Sequence, residues 1–137
     1  MRRAYVDSCL FIYWVERAAP QADAALLWLA QNADATLCVS PLVRLETLVK
    51  PLRDGQTEIV QAYERLLSVQ SWLPIDDAVF ARALDLRVRF GLKTPDALHL
   101  ASAQHHGCDE LWTNDDRLKT AAGPLAVNVF DNLSSVP

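Results

Sequence analysis

The chain has 137 residues, a length suited to one domain that buries about two-thirds of the surface its unfolded form exposes. Hydrophobic residues make up 51% and charged residues 22%, which excludes a disordered chain, and no apolar run approaches the length of a bilayer span. The formal net charge of −4 argues against broad, non-specific duplex binding, which calls for a basic surface, but leaves room for a local basic rim around an acidic centre.

Cys9, Cys38 and Cys108 are odd in number, widely spaced and set among apolar neighbours, so they read as buried, reduced thiols of a cytoplasmic protein. Two arginines stand near the N-terminus, yet Asp7 breaks the apolar run after them before a signal-like core can form. The expectation is a soluble, cytoplasmic protein without membrane contact.

Ala4, Tyr5 and Val6 form a short apolar strand ending at Asp7. A helix then carries Leu10, Phe11, Tyr13 and Trp14, and a second opens at Pro20 with Ala24, Leu27, Trp28 and Ala30 at helical spacing. Residues 36–39 read as a buried strand. Ser40 and Pro41 are a cap followed by a first-turn proline, and the helix they start is expected to end near Lys50, just before Pro51. Its apolar stripe is Leu42, Leu45, Leu48, Val49 and Leu52, with Glu46 at the border and able to lean inward.

Residues 57–68 are helical, with Ile59, Tyr63, Leu66 and Leu67 on one side. The stretch 72–75 is a short strand or extended connection, kept off a central position by Pro74. A helix from Asp76 and Asp77 buries Val79, Ala83, Leu86 and Phe90 and stops at Gly91. The next is capped by Thr94, takes Pro95 at its first position, holds Asp96 in its first turn and ends near Gly107. Residues 110–113 form a strand leading into Asn114, Asp115 and Asp116, and residues 125–130 supply the last strand. Strands alternating with helices, without repeats or linkers, predict one α/β domain over 1–137: a three-layer α/β/α sandwich around a mainly parallel sheet.

Open parallel sheets bind ligands beyond the carboxyl ends of their strands. Asp7 and Asp115 both follow strand ends, Asp96 sits in the first turn of a helix, and Glu46 lies one turn into another. Taken singly, each has an ordinary explanation: a turn residue, an Asx turn, a first-turn acid favoured by the helix dipole, a solvated helix face. Their coincidence at one edge argues for more. Two carboxylates about 5 Å apart repel by roughly 3 kcal/mol at an effective dielectric of about 20, so four need a shared cation. An oxygen-only ligand set suits a hard divalent ion, Mg²⁺ or Mn²⁺.

Tyr5-Val6-Asp7-Ser8, the run Ser-Pro-Leu-Val-Arg-Leu-Glu at 40–46, Thr-Pro-Asp-Ala-Leu-His-Leu-Ala at 94–101 and Leu-Trp-Thr-Asn-Asp-Asp-Arg-Leu at 111–118 together resemble a PIN domain. The resemblance spans the chain, and its length and motif order are similar to the toxin subunit of VapBC toxin–antitoxin pairs. It implies a Mg²⁺- or Mn²⁺-dependent endoribonuclease acting on single-stranded or loop RNA. The positions carried over are Asp7, Glu46, Asp96 and Asp115 as catalytic and metal-binding acids, with Thr113 in support. Asp7 and Asp96 are expected as direct ligands, and Glu46 and Asp115 as ligands or holders of bound waters. Asp116 could assist or face solvent. Ser8 could cap the first helix or orient a carboxylate, and His99 could stand behind the acids or simply pack in the core.

The resemblance further implies a homodimer and a cognate antitoxin filling an apolar groove, for which Trp14, Trp28, Tyr63 and Trp72 are candidate surfaces unless they pack in the core. Arg44, Lys50, Arg53, Lys93, Arg117 and Lys119 are candidates for phosphate contacts. A phosphoryl-accepting receiver domain would need a lysine at the end of the last strand, where 127–131 has none. A haloacid-dehalogenase-type phosphatase would need an Asp two residues after Asp7, where Cys9 stands. A non-catalytic PIN-like scaffold for RNA or protein is the remaining alternative, and the presence of all four acids speaks against it.

Overall fold

A computed structural model describes residues 1–131; the expected domain's last residues, 132–137, lie outside the described part. The chain runs β1 (Arg3–Val6), α1 (Ser8–Glu16), α2 (Ala22–Gln31), β2 (Thr36–Val39), α3 (Pro41–Arg53), α4 (Thr57–Ser68), β3 (Ser71–Trp72), α5 (Asp77–Phe90), α6 (Thr94–His105), β4 (Glu110–Thr113), α7 (Arg117–Ala122), a 3₁₀ turn (Gly123–Leu125) and β5 (Ala126–Asn128). All pairings are parallel, in the order β3-β2-β1-β4-β5.

The central strand shows why helices must cover both faces. Tyr5 and Val6 are fully buried although successive strand residues point to opposite sides. Tyr5 meets His99 on α6, its ring centroid 5.5 Å from the imidazole. Val6 is in register with Trp112, which packs edge-on against Trp28 of α2 at 5.4 Å. One residue is thus committed to each layer. The layers are α1 to α4, gathered around α1, and α5 to α7, gathered around α6.

Pairing β1 with β2 on one side and β4 on the other places the topological switch point between β1 and β4. Asp7 leaves β1 there, its amide still bonded to the Trp112 carbonyl at 2.9 Å.

Several expected details differ. α3 continues through Pro51 to Arg53. Only Leu52 and Arg53 follow the proline in the helix; its missing N–H costs a single intrahelical bond, and its ring is buried. The buried line of α3 is Val43, Thr47, Leu48 and Pro51, whereas Leu45, Val49 and Leu52 of the expected stripe are exposed. Phe90 is likewise 40% exposed, and Phe80, Leu84 and Val88 form a second exposed apolar line on α5. Trp14, Trp28 and Tyr63 are core residues rather than docking surfaces; of the four candidates only Trp72 is exposed. α2 begins at Ala22, after the turn containing Pro20. Thr94 is the first residue of α6 and Lys93 its cap; the Thr94 hydroxyl instead accepts from Arg87 Nη1 at 2.8 Å. β5 is shorter than expected, with Val129 and Phe130 in the turn after it. Cys38 and Cys108 are buried, Cys9 is half-buried, and all are free thiols.

Candidate active site

Asp7 caps α1 with extended backbone but makes no side-chain capping bond. Its carboxylate turns to the switch-point crevice, where Oδ2 accepts from the Thr113 hydroxyl at 2.9 Å. Thr113, fully buried at the end of β4, also accepts from the Asp115 amide at 3.1 Å. One hydroxyl therefore ties the two strand ends together and fixes the first acid.

Glu46 reaches the same crevice from α3. It lies three residues after buried Val43, so helical spacing puts it on the inward face rather than at the edge of the outer stripe. Its Oε1 accepts from Ser8 Oγ at 2.6 Å and from His99 Nε2 at 2.6 Å. Ser8 thus supports an acid and is not the cap of α1. Burial raises the Glu46 pKa, but the His99 hydrogen bond and charge, together with Ser8, outweigh it and hold the group below its ordinary value. Behind His99, Nδ1 meets the Tyr5 hydroxyl at 2.7 Å, which in turn meets Ser40 Oγ at 2.7 Å.

Asp96 stands in the first turn of α6, half-buried. Burial, then the charges of Asp7 and Asp115, raise its pKa. Asp115 is oppositely affected: hydrogen bonds from Arg117 hold it low. The Arg117 guanidinium covers both carboxylate oxygens, with Nη2 2.6 Å from Oδ2 and Nε 3.0 Å from Oδ1. Asp116 is not brought to the cluster; it faces outward to Lys119 at 3.1 Å and Asn128 at 3.1 Å. Several of the expected phosphate-binding cations are also engaged: Arg44 pairs with Glu64, Arg117 with Asp115, and Lys119 with Asp116 and Asp131.

Asp7, Glu46 and His99 present ligand atoms that all lie within 4.8 Å of one another. Asp96 and Asp115 interact electrostatically across the same crevice but stand outside that tightest set. The donor set is dominated by carboxylate oxygens, and Asp96 is raised first by its own burial and then by the nearby charges of Asp7 and Asp115. These residues fit a hard divalent cation. Beside Asp96, a cleft of about 370 Å³ is lined by Phe90, Leu92, Lys93, Arg117 and Thr120. Its floor is pinned, because Arg87 Nε donates to the Leu92 carbonyl at 3.0 Å while its Nη1 holds Thr94.

Motif spacing does not single out Tyr5 or Ser40 as site residues, and it leaves His99 between two roles. The signal present is chemical: a tyrosine in an otherwise apolar central strand must find a partner for its hydroxyl.

A PIN-domain family model matches residues 4–124, so the chain belongs to the PIN-domain family. Among curated relatives it is 34% identical over 132 residues to Ribonuclease VapC46 of Mycobacterium tuberculosis, covering 95% of this chain and 98% of that one. Among solved structures it is similar to a toxin–antitoxin complex from Klebsiella pneumoniae, with TM-score 0.73, 26% identity, and coverage of 92% of this chain and 97% of that one. It also shares its fold with VapC20 of Mycobacterium tuberculosis, described as a sarcin-ricin-loop-cleaving toxin, at TM-score 0.71 and 21% identity over 88% of this chain and 95% of that one.

Proposed function

We propose that this chain is the toxin subunit of a VapBC-type pair: an endoribonuclease that hydrolyses phosphodiester bonds in single-stranded or loop RNA with Mg²⁺ or Mn²⁺. The observation that carries the reading is the convergence of Asp7, Glu46, Asp96 and Asp115 on one switch-point crevice, two of them held by buried polar side chains. The kinship with Ribonuclease VapC46 supports it.

In this reading Asp7 and Asp96 bind the cation directly, and Glu46 and Asp115 either ligate it or hold its waters. When bound, a divalent cation polarises the phosphoryl oxygens and makes water a competent nucleophile near neutral pH. The chain's own residues do the remaining work. Thr113 and Ser8 keep their carboxylates from turning away. Lys93 and Arg117 draw the RNA backbone to an otherwise acidic centre, and Phe90 offers a half-exposed ring on which a neighbouring base stacks. Arg117, paired here with Asp115, would become available to phosphate if Asp115 helped to hold the cation.

The partners follow from the same reading. An antitoxin and a second copy of the chain require apolar surface, and two such surfaces stand open: the groove of Leu45, Leu48, Val49, Leu52 and Trp72, and the line Phe80, Leu84 and Val88. No helix among the described residues is long and apolar enough to cross a membrane, and we assign the protein to the cytoplasm, where its RNA lies. Mapping the cleavage ends produced in total cellular RNA tests the function. Discrete new ends that vanish with a chelator and with Asp96→Asn are expected; ends that persist in both would overturn it.

A further inference from the structure

We propose that Tyr5 and His99 are positioning residues for Glu46: the buried Tyr5 hydroxyl selects one tautomer of His99, whose Nε2–H holds Glu46 Oε1 and leaves Oε2 to face the cation. The inference rests on the proposed function for what the cation does, and on geometry for how the carboxylate is held.

An ionised carboxylate has no proton to give, so both short contacts at Oε1 must be donated to it, by Ser8 Oγ at 2.6 Å and by His99 Nε2 at 2.6 Å. The hydrogen of a neutral imidazole is then on Nε2, and Nδ1 is an acceptor. Tyr5, 2.7 Å from Nδ1, must donate there, and its oxygen accepts from Ser40 Oγ at 2.7 Å. With His99 neutral, one proton order satisfies every group from Ser40 to Glu46; an imidazolium, protonated at both ring nitrogens, would reverse the Tyr5 contact and overturn the proposal. The opposite tautomer would set two lone pairs against each other across 2.6 Å.

Tyr5 is 0% and His99 2% exposed, so water cannot replace either partner. Asp7 Oδ1 lies 3.9 Å from Nε2, too far to compete for its hydrogen. The two inner acids are therefore built alike. Each has one oxygen held by the protein, Asp7 Oδ2 by Thr113 and Glu46 Oε1 by Ser8 and His99. On the proposal, Asp7 Oδ1 and Glu46 Oε2, which the donors Thr113, Ser8 and His99 leave unclaimed, would be the oxygens available to a cation. The competing role for His99, ligation through Nε2, requires that nitrogen to have no hydrogen.

Two measurements on the full chain separate the roles. Correlation spectra of isotope-labelled imidazole nitrogens, with His99→Gln identifying the signal by its loss, should show His99 protonated at Nε2 both without and with saturating Mg²⁺. A signal protonated at Nδ1, or an Nε2 that loses its hydrogen when Mg²⁺ binds, overturns the proposal. Calorimetric titration with Mn²⁺ tests the chain of action. His99→Leu should weaken binding about 10- to 100-fold, the usual cost of losing a partner behind a metal ligand. Tyr5→Phe, one step further out, should weaken it about threefold to tenfold.

His99→Gln, which keeps an amide donor for Glu46, should bind more tightly than His99→Leu. In the His99→Gln background Tyr5→Phe should change nothing, because no tautomer is left to select; an equal loss in both backgrounds overturns the proposal. If a variant does not fold, the spectra of the unaltered chain decide. RNA cleavage is not the readout, so a failed nuclease reading would appear separately, as a chain with this metal coupling that cuts no RNA.

Discussion

The inner and outer halves of the acidic crevice are built on different principles. Asp7 and Glu46 are each clamped at one oxygen by buried donors that belong to other elements. Asp96 and Asp115 stand on the first turn of a helix and on a loop, and the cation now facing Asp115 is Arg117, whose side chain is 73% exposed. The inner half is pre-organised and pays for that order during folding, while the outer half can rearrange when metal and RNA arrive. Substitutions should therefore act through metal geometry in the inner half and through charge in the outer half.

The largest expected effect is that of removing an inner ligand. Asp7→Asn should lower RNA cleavage by more than the roughly 10- to 100-fold typical of an outer partner, measured as initial rate at saturating Mg²⁺. Thr113→Val is next. It leaves Asp7 Oδ2 and the Asp115 amide without their shared partner and should weaken Mn²⁺ binding about tenfold. It should also cost about 1–3 kcal/mol in denaturant unfolding of the metal-free chain.

On the outer side, Phe90→Ala should raise KM for single-stranded RNA about fivefold to 100-fold with little change in kcat, the loss of one base-stacking platform. An unchanged KM would remove Phe90 from the binding cleft.

The pH dependence of the metal-free chain sharpens the contrast further. Asp96 titrates above its ordinary value of 3.8, so between that value and its raised one the folded state binds more protons than the unfolded state. Stability should then rise as pH falls into this window. Glu46 and Asp115 act in the opposite direction: held below their ordinary values of 4.5 and 3.8, they leave the unfolded state to take up protons first as pH falls past those values, so their loss of stability overlaps the Asp96 gain and prevails at the acid end. Thermal melting across about pH 3 to 7 checks both limbs, and Asp96→Asn should abolish the rise while keeping the fall. The smallest effect belongs to Arg117→Ala. Its ion pair lies at the surface and is screened by water, so melting should scarcely move while Mg²⁺ binds somewhat more tightly to the freed Asp115.

Much of this arrangement is readable in the sequence because it depends on local chemistry. Short apolar runs leading into Asp7 and Thr113 mark strands whose ends meet, and the run from Thr57 to Ser68 matches its helix at both ends. Glu46 does lean inward, but the expected stripe beside it is split, with Leu48 buried and Leu45, Val49 and Leu52 facing outward. Periodicity finds an apolar stripe on a helix, but a stripe meant for a partner has the same spacing as one meant for the core. The hydroxyl and imidazole contacts behind Glu46 are hidden for another reason. They join residues as far apart as Tyr5 and His99, whose pairing exists only once β1 and α6 have packed. Arg117 cannot be assigned between phosphate and Asp115 from spacing, because a cation two residues from an acid suits either.

The clamp on Glu46 also orders events in time. Ser8 and Glu46 emerge early in synthesis, but His99 follows Glu46 by 53 residues and Asp115 comes later still. A nascent chain on the ribosome thus carries its early acids without the imidazole that aims one of them. On the proposed function, cleavage would have to wait until synthesis has passed His99 and Asp115.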